Sequence, residues 1–175
     1  PLEALWQSLP KYINSNENVI AVVDTSGSMS SQISKKSKIS ASDVAFALGA
    51  YTAQYLTGPF KGKVITFSEE ARYINLFKFG TSLLDILRSF YEYRIVENTN
   101  IQSVFDLILR TALRHDIPQT ELPSKVIIIS DMQFDDCQSG QTNFDLIKEK
   151  YESANYVMPE LVFWNVNARN TEFPA

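Results

Sequence analysis

Two short apolar runs constrain this 175-residue chain more than any other feature. Val19-Ile20-Ala21-Val22-Val23 and Val126-Ile127-Ile128-Ile129 carry no polar residue at alternate positions, so neither can turn one side to water. Strands of this kind lie in the middle of a sheet that is covered on both faces. The first run ends at Asp24 and the second at Ser130-Asp131.

Around them the chain alternates strand and helix. Residues 63–67 read as a third strand, and residues 71–76 alternate like an edge strand. Only Ser68-Glu69-Glu70 separates the two, which predicts an antiparallel hairpin. Helical spacing recurs over 41–56 (Val44, Ala45, Leu48, Tyr51, Thr52, Tyr55), 82–92, 101–115 and 143–154. Ser40 is placed to cap the first of these helices, and Gly58-Pro59 to stop it. A last strand is predicted over 160–166, and a short helix interrupted by Pro10 over 2–13, followed by a polar connector to residue 17. Residues 29–40, rich in Ser and Lys, read as a polar mobile loop. This order predicts an α/β domain with a mostly parallel sheet and helices on both faces. Val19–Val23 is expected at its centre, between 63–67 and 125–130.

Composition narrows the function classes. The chain is 45% hydrophobic and 21% charged, enough for one core over 1–175 without a staple. A single cysteine, Cys137, excludes an internal disulfide and a cysteine-rich zinc site. With 16 Lys+Arg against 20 Asp+Glu there is no basic field to hold a nucleic-acid backbone. No apolar run reaches the ~18 residues of a membrane span, and no leader opens the chain. The lone cysteine and missing leader lead us to expect a cytoplasmic, monomeric module. The first residue is Pro, which reads as a domain excised from a longer parent.

In open α/β sheets, ligands gather beyond the carboxyl ends of the strands. Three pieces fall there: Asp24-Thr25-Ser26-Gly27-Ser28 after the first strand, Asn98-Thr99-Asn100 at the mouth of a helix, and Ser130-Asp131. They offer carboxylates and hydroxyls with no nitrogen or sulfur, a donor set for hard cations such as Mg²⁺, Mn²⁺ or Ca²⁺. Gly27 is expected to permit the sharp turn that points both serines at one ion.

Asp-x-Ser-x-Ser after the first strand, a Thr in a second loop and an Asp after the fourth strand resemble the metal-ion-dependent adhesion site of von Willebrand factor type A domains. The resemblance covers nearly the whole chain and implies that family's Rossmann-like three-layer fold, with one antiparallel edge strand. It assigns the metal to Asp24, Ser26, Ser28, Thr99 and Asp131. Ser26 and Ser28 would bind directly, Thr99 and Asp131 directly or through water, and Asp24 mainly through water while orienting the loop. Glu97-Asn98-Thr99 stands where the family often has Gly-Gly-Thr, and Asp131-Met132 where it often has Asp-Gly; both changes spare the liganding side chain. The chain also looks similar to intracellular members, the Ro-autoantigen-like proteins and, through Asp24–Met29 and Ser130-Asp131-Met132-Gln133-Phe134-Asp135, more so the large bacterial, phage and giant-virus proteins. The family's usual last strand and helix are not evident after Asn167.

The resemblance implies a protein-interaction module, not an enzyme: Mg²⁺ held mainly by neutral hydroxyls stays under-neutralised and captures an Asp or Glu carboxylate of a partner protein. Candidate rim residues are Lys35, Lys36, Asn98, Asn100, Asp135 and Arg169, with Lys38, Asp136, Phe134, Tyr156 and Trp164 as further neighbours. Lys35, Lys36 and Lys38 also read as a solvated loop, and Asp135 and Asp136 as surface turn acids. The single histidine, His115, reads as a helix-end residue, which leaves serine-hydrolase chemistry without a base. Two other readings compete. A haloacid-dehalogenase-type phosphohydrolase would use Asp24, Ser68, Lys125 and Asp131 with Asp135 or Asp136, yet it needs an acid where Ser26 stands. A metal-free scaffold would leave the motif without a purpose.

Overall fold

The computed structural model describes residues 2–13, 17–34, 36–66, 70–92, 100–131 and 144–166. Five strands form its sheet: β1 (Val19–Val23), β2 (Lys63–Thr66), β3 (Arg72–Asn75), β4 (Lys125–Ser130) and β5 (Glu160–Asn165). Their order is β3-β2-β1-β4-β5, with β1 central as the sequence predicts. β1 runs parallel to β2 and β4, β4 runs parallel to β5, and only β2 with β3 is antiparallel.

The apolar runs follow from burial on both faces. Ile20 and Val22 of β1 point into one core with Val126 and Ile128. Ala21 and Val23 point into the other with Ile129. Helices α4 (Ile101–Arg114) and α5 (Phe144–Ser153) close the first core through Phe105, Ile108, Ile147 and Tyr151. Helices α2 (Ala41–Tyr55) and α3 (Leu83–Glu92) close the second through Ala45, Phe46, Ile86 and Phe90. Among the described residues no helix is long and apolar enough to cross a membrane.

Helix α2 starts where its sequence says it must. Ser40 Oγ accepts the Asp43 N–H at 3.1 Å and Asp43 Oδ2 accepts the Ser40 N–H at 2.9 Å, a reciprocal cap that satisfies two otherwise orphaned donors. Its Gly49 lies against the sheet: a Cβ there would stand 2.7 Å from Val23 Cγ2 and 3.3 Å from Phe90 Cζ. Gly49→Ala therefore sets a helix-propensity gain of ~1 kcal/mol against a clash. We expect the clash to win, with net destabilisation of about 1–2 kcal/mol in urea unfolding. A more stable variant would mean that α2 has room to retreat from the sheet.

The N-terminal segment is more integrated than its reading as helix and connector implies. Helix α1 (Leu2–Gln7) ends before Pro10. Glu3 Oε2 accepts the N–H of Leu83, the first residue of α3, at 2.8 Å, and Trp6 packs against the α2/α3 core. Tyr51 Oη donates to the Pro10 carbonyl at 2.8 Å and accepts the Tyr12 N–H at 2.7 Å. The segment thus lies as a strap over one helical layer.

The loop over 29–40 needs correction. Met29 is fully buried within a short 3₁₀ turn, Gly27–Ser30, rather than lying in an open polar loop. Beyond it the chain closes on itself: Ile33 N–H donates to Ile39 O at 3.1 Å, and Ala41 N–H to Ser31 O at 3.0 Å. The sequence misleads here because Met29, Ile33 and Ile39, scattered among serines and lysines, show no helical or strand periodicity.

Candidate metal centre

The register of β1 and β4 builds this site. Val23 pairs with Ile129, so Asp24 and Ser130, each one residue further on, emerge side by side. Asp24 N–H extends the ladder to Ile129 O at 3.1 Å. Asp24 is 2% exposed, and both its carboxylate oxygens are engaged: Oδ1 accepts the Ser26 N–H at 2.8 Å and Oδ2 the Ser130 hydroxyl at 2.6 Å. These charge-assisted bonds fix the carboxylate and, through Ser26 N–H, the start of the loop.

The loop then turns within Gly27–Ser30, where Met29 N–H donates to Ser26 O at 3.1 Å. This brings Ser26 Oγ to 3.1 Å from Ser28 Oγ, which donates in turn to Asp131 Oδ1 at 3.2 Å. Asp131 is fully buried, and Ser26 and Ser28 are half-buried. Gly27 contributes less than expected. It does not occupy the left-handed region, and a Cβ on it would meet nothing within 4 Å, so the 3₁₀ geometry and not glycine's freedom makes the turn.

Three oxygens from residues 26, 28 and 131 thus stand in a chain with spacings of 3.1 and 3.2 Å. Adjacent ligands of an octahedral Mg²⁺, each at about 2.0–2.1 Å, lie about 3.0 Å apart. The donor set therefore fits Mg²⁺ in chemistry and in spacing. Among the described residues no three His, Cys, Asp or Glu come together as an alternative metal cluster.

Other expected residues sort by position. Thr99, Asn98, Lys35, Asp135, Asp136, Phe134, Cys137, Ser68 and Arg169 lie outside the described residues. Asn100 caps α4, its side chain accepting the Ser103 N–H at 3.2 Å. Ser103 Oγ also accepts the N–H of Ala71, next to the β3 residue that pairs with Thr66, so this end of α4 meets the carboxyl end of β2. Lys36 and Lys38 are exposed on the loop. Trp164, 49% exposed, stands on β5 opposite Ile129. Tyr156 instead bonds to the Ile117 carbonyl at 2.9 Å, and His115 is the exposed C-cap of α4.

The geometry counts against the phosphohydrolase reading. Lys125 begins the strand that Asp131 follows, so about six residues, or roughly 20 Å, separate them. Lys125 Nζ pairs with Glu17 at 2.8 Å, and the hydrogen bond and charge of Glu17 hold its ammonium above the usual lysine range. Two residues escaped the sequence reading. Ser130 was visible in the Ser130-Asp131 piece but had no role there, and Met29 gave no signal.

The family model for a domain of unknown function, DUF7788, matches residues 18–175. The chain belongs to the DUF7788 family. An uncharacterised protein of Acanthamoeba polyphaga mimivirus is 32% identical over 176 residues, covering 98% of this chain and 29% of that protein. The crystal structure of the Ro protein (RSR) of Deinococcus radiodurans superposes with a TM-score of 0.60 at 16% identity, covering 96% of this chain and 30% of that one. The match shows the fold, the Ro-like von Willebrand A fold that the sequence implies. The chain therefore spans just under a third of the length of either protein.

Proposed function

We propose that this chain is a metal-dependent protein-interaction module that binds one Mg²⁺ and captures an acidic side chain of a partner protein. The observation that carries this reading is the run of Ser26 Oγ, Ser28 Oγ and Asp131 Oδ1 at 3.1 and 3.2 Å, at the carboxyl end of a parallel sheet. Ser26, Ser28 and Asp131 would hold the ion, joined by Thr99. Asp24, with both oxygens engaged, would act through water. Bound Mg²⁺ would supply a Lewis-acidic open position. With one carboxylate beside two neutral hydroxyls, that position favours an anionic oxygen over a neutral one. Mn²⁺ would substitute readily, and Ca²⁺, which prefers longer bonds and more ligands, less well. We further propose that the module acts in the cytoplasm as a monomer, without contacting nucleic acid itself.

Isothermal calorimetry on metal-stripped protein tests this. We expect one saturable Mg²⁺ or Mn²⁺ site whose affinity rises when millimolar acetate or glutamate is present. Absence of binding in both conditions would favour the metal-free scaffold. Turnover of a generic phosphoester in Mg²⁺, lost in Asp24→Asn, would instead revive the phosphohydrolase.

A further inference from the structure

The geometry points to Met29 as a positioning residue for this site, an inference that rests on the cation-binding reading above. Met29 lies one residue beyond Ser28, and its thioether Sδ accepts the backbone N–H of Asp131 at 3.2 Å. The two residues are 102 apart in sequence, and the bond is buried. One side chain therefore ties the loop that presents Ser26 and Ser28 to the main chain that presents Asp131. Its own N–H is held by Ser26 O at 3.1 Å, so the tie begins at one hydroxyl-bearing residue and ends at the carboxylate-bearing one. Met29 is also fully buried among Ala21, Val23, Ala41, Ala45 and Ile129. Any apolar side chain of similar volume would serve that packing. Of such side chains at position 29, only a thioether offers the Asp131 N–H an acceptor. With that bond in place, the Asp131 carboxylate is held at 3.2 Å from Ser28 Oγ before any ion arrives. Without it the same oxygens remain, but loop and strand end are joined only through Ser28 and Asp24 and hold the Asp131 carboxylate less firmly.

The test uses Mn²⁺ alone as probe, titrated into metal-stripped protein and followed by electron paramagnetic resonance. Amide hydrogen exchange of Asp131 is followed by NMR in metal-free protein. Met29→Leu should bind Mn²⁺ roughly tenfold more weakly, the scale on which losing a group that orients a ligand weakens metal binding. Exchange at the Asp131 amide should accelerate, and Met158→Leu, in the opposite core, should change neither. If Met29→Leu does not fold, norleucine at position 29, with Met132 and Met158 changed to Leu, removes the sulfur without changing the shape. Selenomethionine in the same background keeps an acceptor and should restore wild-type affinity. Wild-type Mn²⁺ affinity and unchanged exchange without the sulfur would overturn the role of Met29 and leave the cation site standing. No Mn²⁺ binding by the wild-type protein would overturn the cation site, and this inference with it.

Discussion

We expect Ser26→Ala/Ser28→Ala to remove the proposed cation binding and to leave the fold in place. The double variant removes two of the three oxygens that stand 3.1 and 3.2 Å apart, while Asp24 keeps its bonds to the Ser26 N–H and to Ser130. Groups that merely orient metal ligands are worth 10–100-fold in affinity, so deleting two ligands should cost more than about 100-fold. In chelator, the expected stability loss is limited to the bonds from Ser26 to Ser28 and from Ser28 to Asp131, about 1–3 kcal/mol. Calorimetry with Mn²⁺ and thermal melts in chelator read the two effects separately. An unchanged isotherm would show that any ion binds elsewhere.

The second large effect lies in the core. Phe105 of α4 is fully buried among Ile20, Val22, Ile128, Ile147 and Tyr151, and its carbonyl accepts the Tyr151 hydroxyl at 2.9 Å. Phe105→Ala leaves a cavity between α4, α5 and the sheet that neighbours in regular helix and strand cannot fill. We expect a loss of about 3–5 kcal/mol in urea unfolding, or roughly 10 °C in melting temperature. Cation affinity of the folded fraction should change far less, because Phe105 supplies none of the proposed site oxygens. A loss below about 1 kcal/mol would mean that α4 collapses onto the sheet and refills the space.

These two variants separate what local pattern conveys from what it does not. Helices α2 to α5 matched their predicted spans to within a residue or two, while α1 stops at Gln7, well short of the predicted 13. Period and caps are local, and the reciprocal cap of Ser40 and Asp43, three residues apart, can be read directly. Ser130 and Met29 could not be read this way. Nothing in Ser130 says that it donates to Asp24, 106 residues earlier. Nothing in a methionine between two serines says that its sulfur reaches Asp131. Gly27 misleads for a related reason: glycine permits a left-handed turn, but the fold uses a 3₁₀ turn that needs no glycine.

By itself the sequence determined the two-faced burial of β1 and β4, the alternation of strands and helices, and the oxygen-only donor set at the strand ends. Each of these is written in residue type and spacing over a few positions. Only the tertiary structure decided how those donors meet. The pairing of Val23 with Ile129 sets Asp24 beside Ser130, and the 3₁₀ turn brings Ser28 within 3.2 Å of Asp131. Register is a collective outcome of pairing and burial along both strands. A contact that depends on it carries no local signature, however short the distance.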